Sequence, residues 1–497
     1  MSDIDLSKLS FGAPAAERDI AQGLADYFVE SPAFTRVEEG SKSILLGNRG
    51  SGKSAIFKVL AQRQRAAGSV VIELAPEDYS YEMLSATLAT ESSGSWAKLG
   101  AYAVAWKFLI YLLVMKGVTE QGPKLKRGAA GDIYAYLRDN HPDQASNPIG
   151  ALISYLKRME GVKLGKYEAA VKARQLEYLY RLDEIRPLLE PLQKVLENKR
   201  VLVFVDELDR GWDASEDARA FVAGLFQACV SINDLSPGLR VYMSLRQELY
   251  DSIPELYEDA QKYRDLLEVI AWDERSLRQL MANRIRYSTS SLADASDSDA
   301  WEQVFAETLK YRQNKSFNYM VDRTLYRPRE IISFCGECVS LASKTAELPP
   351  LDYTSISEAE VTYSEDRSKD IAAEYRFQYP GLLSVFEVFR GRVYTMDRET
   401  LEDVCLEIAT GEAPIDSDAT SWTEGLEPER MIDILWTIGF LRARAVGGIK
   451  GRRRSGSEYL GSHQITNLNL AALTRFQVHP MFRAHLAMKE PKGEFAA

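Results

Sequence analysis

The segment Gly47–Ser54 constrains the fold of this chain more than any other. Its sequence, GNRGSGKS, fits the pattern G-x-x-x-x-G-K-[ST] in full. The apolar run Ser43–Leu46 before it predicts a buried strand, and Ser54–Arg65 after it predicts a helix. A second strand is predicted over Ser69–Leu74. This order of strand, glycine-rich loop, helix and strand indicates a parallel α/β sheet.

The loop has the chemistry of a phosphate-binding site. Its glycines let backbone N–H groups turn inward around phosphate oxygens, which Cβ atoms would obstruct. Lys53, which we also count as catalytic, can neutralise the β- and γ-phosphates, and the Ser54 hydroxyl can reach Mg²⁺ beside the positive end of the helix dipole. The predicted ligands are therefore ATP and Mg²⁺. The predicted nucleotide-binding residues are Gly47, Asn48, Arg49, Gly50, Ser51, Gly52, Lys53 and Ser54.

Two adjacent acids follow the most apolar strand of the chain, predicted over Arg200–Val205. In a parallel sheet, the end of this strand lies at the same edge as the glycine loop. Asp206 can hold Mg²⁺ through water opposite Ser54, and Glu207 can polarise the water that attacks the γ-phosphate. We therefore predict Asp206 and Ser54 as metal ligands and Glu207 as the catalytic base. The alternative is a solvated acidic turn.

Polar residues beside two further strands are candidates for the same site. Ser244 and Arg246 end the strand predicted over Leu239–Leu245, where they can sense phosphate or orient water. Arg264 precedes the strand predicted over Leu266–Ala271 and can reach a neighbouring subunit's nucleotide as an arginine finger. For each residue an ordinary surface position is the alternative.

A pair of arginines opens a later helix. Arg327-Pro328-Arg329 precedes a helix predicted over Glu330–Ser340, and Pro328 fits the first turn of a helix. From a helical lid, either arginine can fold over the γ-phosphate. The alternative is a surface pair at a helix start.

The chain of 497 residues is long enough for several domains. We predict a P-loop ATPase core at residues 1–75 and 200–287, a large helical insert at 76–199, a helical lid at 288–347 and a winged-helix-like domain at 348–497. The insert is too long for a loop and is expected to pack as its own helical unit. Its apolar stretch Ala101–Met115 is interrupted by Lys107 and falls short of the roughly 20 residues that a bilayer needs. A buried helix is therefore predicted, with no membrane anchor.

Composition limits the environment and the partners. The net charge of −11 argues against a chain coated with nucleic-acid-binding surface, but not against one local basic patch. Four cysteines do not make a disulfide framework in so long a chain, so a reducing, cytoplasmic location is expected. The first ten residues lack the basic start and apolar core of a signal peptide. Neither the pair Cys335 and Cys338 nor the histidines show metal-ligand spacing.

A basic patch is encoded near the end of the chain. Six positive charges and no acid lie within Leu441–Arg454, among glycines that indicate a hairpin tip. The segment Pro428–Gly439 before it predicts a helix, and a helix followed by a basic two-stranded wing suggests a winged helix. The patch is a candidate contact with nucleic-acid phosphates or, alternatively, with an acidic protein. Its basic residues are Arg442, Arg444, Lys450, Arg452, Arg453 and Arg454.

Over about residues 10–345, the assembled motifs resemble the AAA+/STAND-like group of bacterial P-loop ATPases, including the KAP branch. Gly47–Ser54 matches the Walker A motif of that group, and Val203–Arg210 is similar to its Walker B strand with the acidic tail. The KAP branch usually has two aspartates where this chain has Asp206 and Glu207. The tail is similar to the winged-helix tails that follow such cores.

The resemblance implies roles for single polar residues of the core and lid. Ser244 stands where these proteins keep sensor 1, and Arg264 stands where many AAA+ members keep the finger. Arg329 is similar to a sensor 2 arginine, with Arg327 as its rival. An arginine finger acts across subunits, so a homo-oligomer is expected.

The predicted function is an ATP-hydrolysing switch that couples turnover to assembly or to engagement of DNA or an effector protein. Relatives of this kind often act in bacterial antiviral defence or in DNA transactions, and that role is implied by resemblance alone. The rival hypothesis is a nucleotide-gated scaffold or DNA-binding protein that hydrolyses little ATP. Glu207 favours the enzyme, because a base positioned for water serves only hydrolysis.

Overall fold

The computed structural model describes most of the chain. The described residues are 4–74, 95–120, 127–140, 182–208, 212, 214–257, 260–310, 313–444, 459–465 and 468–490. They form two compact units, one of residues 30–271 and one of residues 1–29 together with 272–497. Each unit is described by itself below.

The α-helices alternate with strands in the first unit and dominate the second. In chain order they are α1 (Ala16–Asp19), α2 (Pro32–Glu38), α3 (Lys53–Ala66), α4 (Ser95–Glu120), α5 (Ala129–Asn140), α6 (Leu182–Leu196), α7 (Glu216–Asn233), α8 (Gln247–Ser252), α9 (Pro254–Tyr257), α10 (Ala260–Tyr263), α11 (Glu274–Ser288), α12 (Asp297–Glu302), α13 (Ser316–Val321), α14 (Pro328–Lys344), α15 (Tyr353–Glu374), α16 (Leu382–Glu387), α17 (Arg398–Ala409), α18 (Ser417–Thr423), α19 (Pro428–Thr437) and α20 (Pro480–Arg483).

A five-stranded sheet of order β2-β3-β4-β1-β5 forms the centre of the first unit, and every strand pair is parallel. The strands are β1 (Ile44–Leu46), β2 (Val70–Leu74), β3 (Val201–Val205), β4 (Leu239–Leu245) and β5 (Leu267–Val269). Because the strands are parallel, their carboxyl ends meet at one edge of the sheet. The predicted α/β fold with a parallel sheet is confirmed.

Apolar residues account for the central strands. All five residues of β3 are buried, as expected for a strand covered on both faces. Phe204 of β3 stacks on Tyr242 of β4 with 5.1 Å between ring centroids, and Phe57 of α3 packs against Phe204 at 5.0 Å. The core therefore joins the helix that follows the glycine loop to the two strands that carry the predicted polar residues.

The apolar helix α4 belongs to this same core. Its Trp106 Nε1 donates a hydrogen bond to the carbonyl oxygen of Phe221 in α7, at 3.2 Å. Gly224 of α7 lies so close that a Cβ there would come within 3 Å of Tyr102 and of the Ala103 nitrogen. This part of the insert packs on the core, which differs from the expected separate helical unit.

The length and composition of Tyr102–Glu120 would allow this part of α4 to cross a membrane, but 78% of its apolar window is buried inside the protein. Its side chains face α7 and the sheet, as the Trp106 bond and the Gly224 approach require. The prediction of a buried helix is confirmed.

The second unit joins an N-terminal segment to helices from much later in the chain. Asp19, at the end of α1, forms a buried ion pair with Arg284 of α11, with 2.9 Å between Oδ2 and Nη2. Tyr27 donates a hydrogen bond to the same carboxylate at 2.7 Å. Loss of either charged partner would leave the other charge buried and unpaired, so this pair fixes the segment on α11.

Aromatic residues build the helical core of the second unit. Trp301 of α12 stacks on Phe305 at 4.4 Å and meets Phe317 of α13 edge-on at 4.9 Å. Phe334 of α14 stacks on Tyr363 of α15 at 4.3 Å. The region predicted as a lid, 288–347, is therefore helical, and α15 continues its packing beyond residue 347.

The contacts divide the chain at other residues than those predicted. Residues 1–29 and α11 were placed in the ATPase core, but they group with the second unit. The reason lies in α11, whose buried residues Leu277, Met281 and Ile285 share a core with Trp301. The apolar periodicity that predicted a helix there did not reveal which unit the helix would join.

An antiparallel four-stranded sheet of order β6-β9-β7-β8 completes the second unit. Its strands are β6 (Thr395–Asp397), β7 (Leu441–Arg444), β8 (Tyr459–Leu460) and β9 (Arg475–Val478). The helix predicted over Pro428–Gly439 is confirmed as α19, and β7 follows it directly. The strands β7 and β8 pair in antiparallel orientation, and residues 445–458, where the sequence predicts a hairpin tip, lie outside the described residues.

Candidate nucleotide-binding site

The glycine loop leaves the central strand β1 and turns into α3. Gly50 has a φ of +78° and Gly52 a φ of +101°, both in the left-handed region that favours glycine. The Ser51 N–H donates to the carbonyl oxygen of Asn48 at 3.2 Å, which closes the turn. Gly52 is the N-cap of α3, so the N–H groups of the first helical turn face the loop.

Gly47 allows a close approach on the inner side of this loop. A Cβ at this position would lie 2.6 Å from Ser51 Oγ, so only glycine fits without a shift. The Ile270 N–H, just after β5, donates to the carbonyl oxygen of Leu46 at 2.8 Å. Ser51 itself is 4% exposed. The neighbouring edge strand therefore supports the start of the loop.

Lys53 and Ser54 begin α3 and lie beside the loop, as predicted. The Lys53 ammonium donates to the carbonyl oxygens of Gly47 at 2.6 Å and of Asn48 at 3.1 Å. Ser54 is half-buried in the first helical turn, and Arg49 is half-buried at the tip of the loop. The positive charge is thus held against the loop, where phosphate oxygens would have to lie.

Asp206 and Glu207 follow β3 at the same edge of the sheet. β4 lies between β3 and β1, and its Ser244 pairs in register with Leu45. The buried Ser244 hydroxyl donates a hydrogen bond to Asp206 Oδ1. The carboxylate therefore lies across one strand from the loop, and the prediction that the two motifs share an edge agrees with the sheet order.

Glu207 adopts a backbone conformation that glutamate rarely adopts. Its φ is +60°, in the left-handed region, and its N–H donates to Asp206 Oδ1 at 2.9 Å. Such a conformation costs about 1–3 kcal/mol. Among the described residues it also occurs at Ala214, Gln313, Tyr326, Ala346 and Ala487, so it does not by itself mark a functional site. The strain is a feature that the sequence could not reveal.

The residues present fit a nucleotide with Mg²⁺. Two left-handed glycines and a helix start provide N–H donors for phosphate oxygens, and Lys53 provides the positive charge. The oxygen atoms of Ser54 and Asp206 are of the type that Mg²⁺ prefers. The fit of the site to a nucleotide rests on the conformation of the glycine loop as well as on its sequence.

Arg246 lies at this edge too, as the N-cap of α8. It follows Leu245, which pairs with Leu46 at the end of β1. Its side chain is 16% exposed and its Nη1 lies 3.8 Å from Glu248 Oε1. The structure thus brings Arg246 to the edge that carries the loop, while its catalytic role stays a prediction.

Arg264 lies at the opposite edge of the sheet. It precedes β5, which runs parallel to β1, and Lys42 before β1 donates to the neighbouring Asp265 carbonyl oxygen at 2.7 Å. Arg264 is exposed. The structure therefore does not bring it to the loop of its own chain, and its predicted action on another subunit stays a prediction.

Arg327 and Arg329 belong to the second unit. Arg327 is 6% exposed, and its Nη1 donates to Glu374 Oε2 at 2.8 Å. Burial lowers the pKa of Arg327, but Glu374 and Glu330 outweigh it, so the pKa lies above its ordinary value. This guanidinium is committed to a buried ion pair, which disfavours it as a phosphate sensor.

Arg329 occupies the second position of α14. It is half-buried, and its Nε donates to the Pro14 carbonyl oxygen at 3.3 Å. Its role as sensor 2 stays a prediction.

Arg442 corrects the predicted basic patch. It is 1% exposed, and its guanidinium donates to Asp322 Oδ1 at 2.6 Å and to the Asp322 carbonyl oxygen at 2.8 Å. The ring of His479, fully buried as expected for a structural histidine, lies 2.8 Å from Arg442 Nη2. Arg442 therefore joins β7 to the end of α13 and does not face a nucleic acid.

The remaining residues of the patch are placed only in part. Arg444 is half-buried at the end of β7. Lys450, Arg452, Arg453 and Arg454 lie outside the described residues. The predicted contact with nucleic acid through these five residues stays a prediction.

All four cysteines are free, buried thiols. Cys335 and Cys338 lie on α14, and burial raises the pKa of both thiols well above the ordinary value. Within the described residues, no group of three or more His, Cys, Asp and Glu side chains is arranged to hold a metal ion. These cysteines are therefore packing residues, since a thiol of raised pKa reacts poorly.

Sequence reasoning missed the partners of the buried arginines. Asp322 lies 120 residues from Arg442, and Glu374 lies 47 residues from Arg327. No local periodicity connects such pairs. The local sequence therefore carries no signal that joins residues so far apart.

Comparisons with known proteins agree with the interpretation of the glycine loop. Residues 10–71, which contain the glycine loop, match the family described as ORC-CDC6-like. Residues 275–372 match the family described as FunZ-associated C-terminal helical domain, and this range contains the predicted lid and most of α15. The ORC-CDC6-like match indicates a P-loop ATPase of the AAA+ type.

One relative comes from Escherichia coli (strain K12) and is named "Putative transposon gamma-delta 80.3 kDa protein". It is 22% identical over 482 residues, which are 95% of this chain and 66% of the relative. The chain thus spans somewhat less than two thirds of that protein. By these comparisons, the chain is similar to AAA+ ATPases around its glycine loop and to FunZ-associated proteins in its later helices.

Proposed function

We propose that the protein binds ATP with Mg²⁺, hydrolyses it, and uses the cycle as a molecular switch. The observation that carries the proposal is the position of a left-handed glycine loop and a pair of acids at one edge of a parallel sheet. A single-turnover hydrolysis assay, with and without duplex DNA, tests it.

Each residue of the site has one task in this proposal. The loop N–H groups and Lys53 hold the phosphate oxygens of ATP and neutralise charge that grows on the γ-phosphate. Ser54 and Asp206 hold Mg²⁺, which draws electron density from the β- and γ-phosphates when bound. Glu207 accepts a proton from the attacking water.

The rival function is a nucleotide-gated scaffold with little hydrolysis. It predicts tight ATP binding and almost no phosphate release in a single turnover. The specific observation against it is the position of Glu207, directly after Asp206 at the edge of the sheet that carries the glycine loop. A carboxylate at that place can accept a proton from water, a task that a scaffold does not need.

Our first prediction is that Arg264 acts across subunits of a homo-oligomer. An arginine at the edge opposite its own loop can act only on another subunit's nucleotide. We expect the specific activity to rise with protein concentration. A mixture of Arg264→Ala and Lys53→Ala chains should recover part of the activity that each variant lacks alone, because each supplies the group that the other has lost.

The mixing experiment has its own control. Arg138, exposed on α5, takes the place of Arg264 in a parallel series. A mixture of Arg138→Ala and Lys53→Ala should show only the activity of the Arg138→Ala chains. A protein that sediments as a monomer with full activity would contradict the proposal of action between subunits.

The tail is proposed to be a winged helix that meets nucleic acid through its hairpin. The order α17, α18, α19 and then β7 with β8 supports this assignment, but the helices carry the wrong charge for a phosphate backbone. Arg398–Thr437 contains eleven acids and two arginines, a net charge of −9. Glu427 and Glu429 are exposed at the start of α19. Any polyanion must therefore contact the hairpin, and not the face of α19.

Our second prediction concerns the salt dependence of DNA binding. If three or four side chains of the hairpin meet phosphates, affinity should fall with a log–log salt slope of roughly −3, since each contact releases about 0.9 counterion. Changing Arg452, Arg453 and Arg454 to alanine should flatten this slope and weaken binding to all sequences alike. Fluorescence anisotropy on labelled duplex and single strand measures both.

The alternative ligand of the hairpin is an acidic protein. In that case DNA affinity would be negligible at about 100 mM salt, with or without the three substitutions. Lys194→Ala, an exposed change on α6, serves as the control for loss of a positive charge elsewhere. An unchanged slope in the triple variant would contradict the proposed nucleic-acid contact.

The biological setting is proposed on resemblance. The name of the Escherichia coli relative refers to a transposon, which supports engagement of DNA as the output of this switch. A STAND or KAP type of switch and a role in bacterial antiviral defence are implied by the AAA+/STAND-like resemblance. A cytoplasmic location is proposed from the cysteine content, which fits a reducing compartment.

A further inference from the structure

The Ser244 hydroxyl donates its hydrogen bond to a carboxylate of the candidate site. Ser244 is 3% exposed, near the end of β4, and it donates to Asp206 Oδ1. A serine hydroxyl has a single hydrogen to donate. While it donates to Asp206, it cannot donate to a γ-phosphate oxygen. The observed hydrogen bond therefore argues against a phosphate-sensing role for Ser244.

The same carboxylate oxygen receives a second hydrogen bond. The Glu207 N–H donates to Asp206 Oδ1 at 2.9 Å. Both bonds go to Oδ1, and no hydrogen bond to Oδ2 is found within the described parts of the chain. Two donors on one oxygen fix the rotation of the carboxylate, and Oδ2 is the atom left to face a magnesium-bound water.

The bonds connect Ser244 to the conformation of Glu207. A glutamate at φ +60° is held only where its surroundings favour that conformation. Here the peptide N–H of Glu207 and the hydroxyl of Ser244 donate to the same atom, Asp206 Oδ1. A change at Ser244 therefore reaches both acids through one atom.

We propose that Ser244 is a positioning residue that orients Asp206 for the metal ion and Glu207 for water. This inference rests on the proposed ATPase function and gives Ser244 a task different from sensing phosphate. A substitution of Ser244 can therefore have one of two distinguishable effects. Loss of orientation weakens metal binding, whereas loss of a phosphate sensor slows hydrolysis without changing metal affinity.

Mn²⁺ serves as the probe, because its binding to the nucleotide complex can be followed by electron paramagnetic resonance without turnover. With a non-hydrolysable ATP analogue, Ser244→Ala should bind Mn²⁺ about tenfold more weakly, as expected for loss of a hydrogen bond to a charged group. Affinity for the analogue in excess EDTA should not change. Wild-type Mn²⁺ affinity in Ser244→Ala would overturn the inference.

Two further variants guard against simple misfolding. Ser244→Thr and Ser244→Val add the same bulk and differ in the hydroxyl, so Thr should bind Mn²⁺ as the wild type does and Val should bind as weakly as Ala. Ser43→Ala removes another buried serine of this sheet, 4% exposed at the opposite edge, and should leave Mn²⁺ affinity unchanged. Equal losses in Thr and Val, or a matching loss in Ser43→Ala, would contradict the inference.

The outcome is distinguishable from failure of the proposed function. A wild-type protein that binds no nucleotide would overturn the ATPase proposal together with this inference. A wild-type protein that binds and hydrolyses ATP, with unchanged Mn²⁺ affinity in Ser244→Ala, would overturn this inference alone.

Discussion

Lys53→Ala should lose ATP binding and hydrolysis together, with affinity at least about 30-fold below that of the wild type. The ammonium is held against the loop by the carbonyl oxygens of Gly47 and Asn48. Truncation of one member of a hydrogen-bonded charge pair costs about 2–5 kcal/mol, which corresponds to this loss. Calorimetric titration with an ATP analogue measures the affinity directly.

Thermal unfolding gives a second reading of the same change. Saturating ATP and Mg²⁺ should raise the midpoint of the wild type, because a ligand that binds only the native state stabilises it. The midpoint of Lys53→Ala should not respond to ATP. Lys58→Ala is the matched control, because Lys58 lies on the same helix and pairs with Glu73 instead. If Lys53→Ala binds ATP as tightly as Lys58→Ala, the loop is not the site.

Glu207→Gln should separate binding from chemistry. The amide keeps the size of the side chain and removes the base, so ATP and Mg²⁺ should bind with near wild-type affinity. Hydrolysis should slow at least about 10²-fold, the usual contribution of a general base. Rapid-quench single turnovers distinguish a slow chemical step from slow product release.

The control for this change is Glu190→Gln on the exposed surface of α6, which removes a charge far from the site and should hydrolyse at the wild-type rate. Wild-type turnover in Glu207→Gln would remove the proposed base and leave the scaffold function as the better account. A variant that also loses ATP would place Glu207 in binding instead.

The sequence predicted the site because its parts are local. A strand, a loop and a helix that follow one another carry their own pattern, and the predicted helix Ser54–Arg65 differs from the observed Lys53–Ala66 by one residue at each end. The two acids after β3 could be predicted equally well, because an apolar strand that ends at a polar pair is visible in the sequence. A parallel sheet then brings these separate segments to one edge.

Residues with distant partners could not be assigned in this way. Arg442 has the same local surroundings as the other arginines of its run, and only Asp322 and His479, from other segments, explain its burial. The Glu207 N–H likewise donates to Asp206 Oδ1, which also accepts a hydrogen bond from Ser244 on another strand. Such arrangements become visible only when the chain is folded.

The pairing of the N-terminal segment with α11 affects how the chain can fold during synthesis. Asp19 and Arg284 are separated by 265 residues. At about 5–20 residues per second, the ribosome completes α11 roughly ten to fifty seconds after Asp19. Throughout that interval Asp19 lacks its ion-pair partner Arg284, whereas the sheet of residues 30–271 can assemble as soon as β5 emerges. The unit of residues 30–271 is therefore expected to fold first, and the nascent N-terminal segment is expected to be the part of the chain that a chaperone or a protease meets.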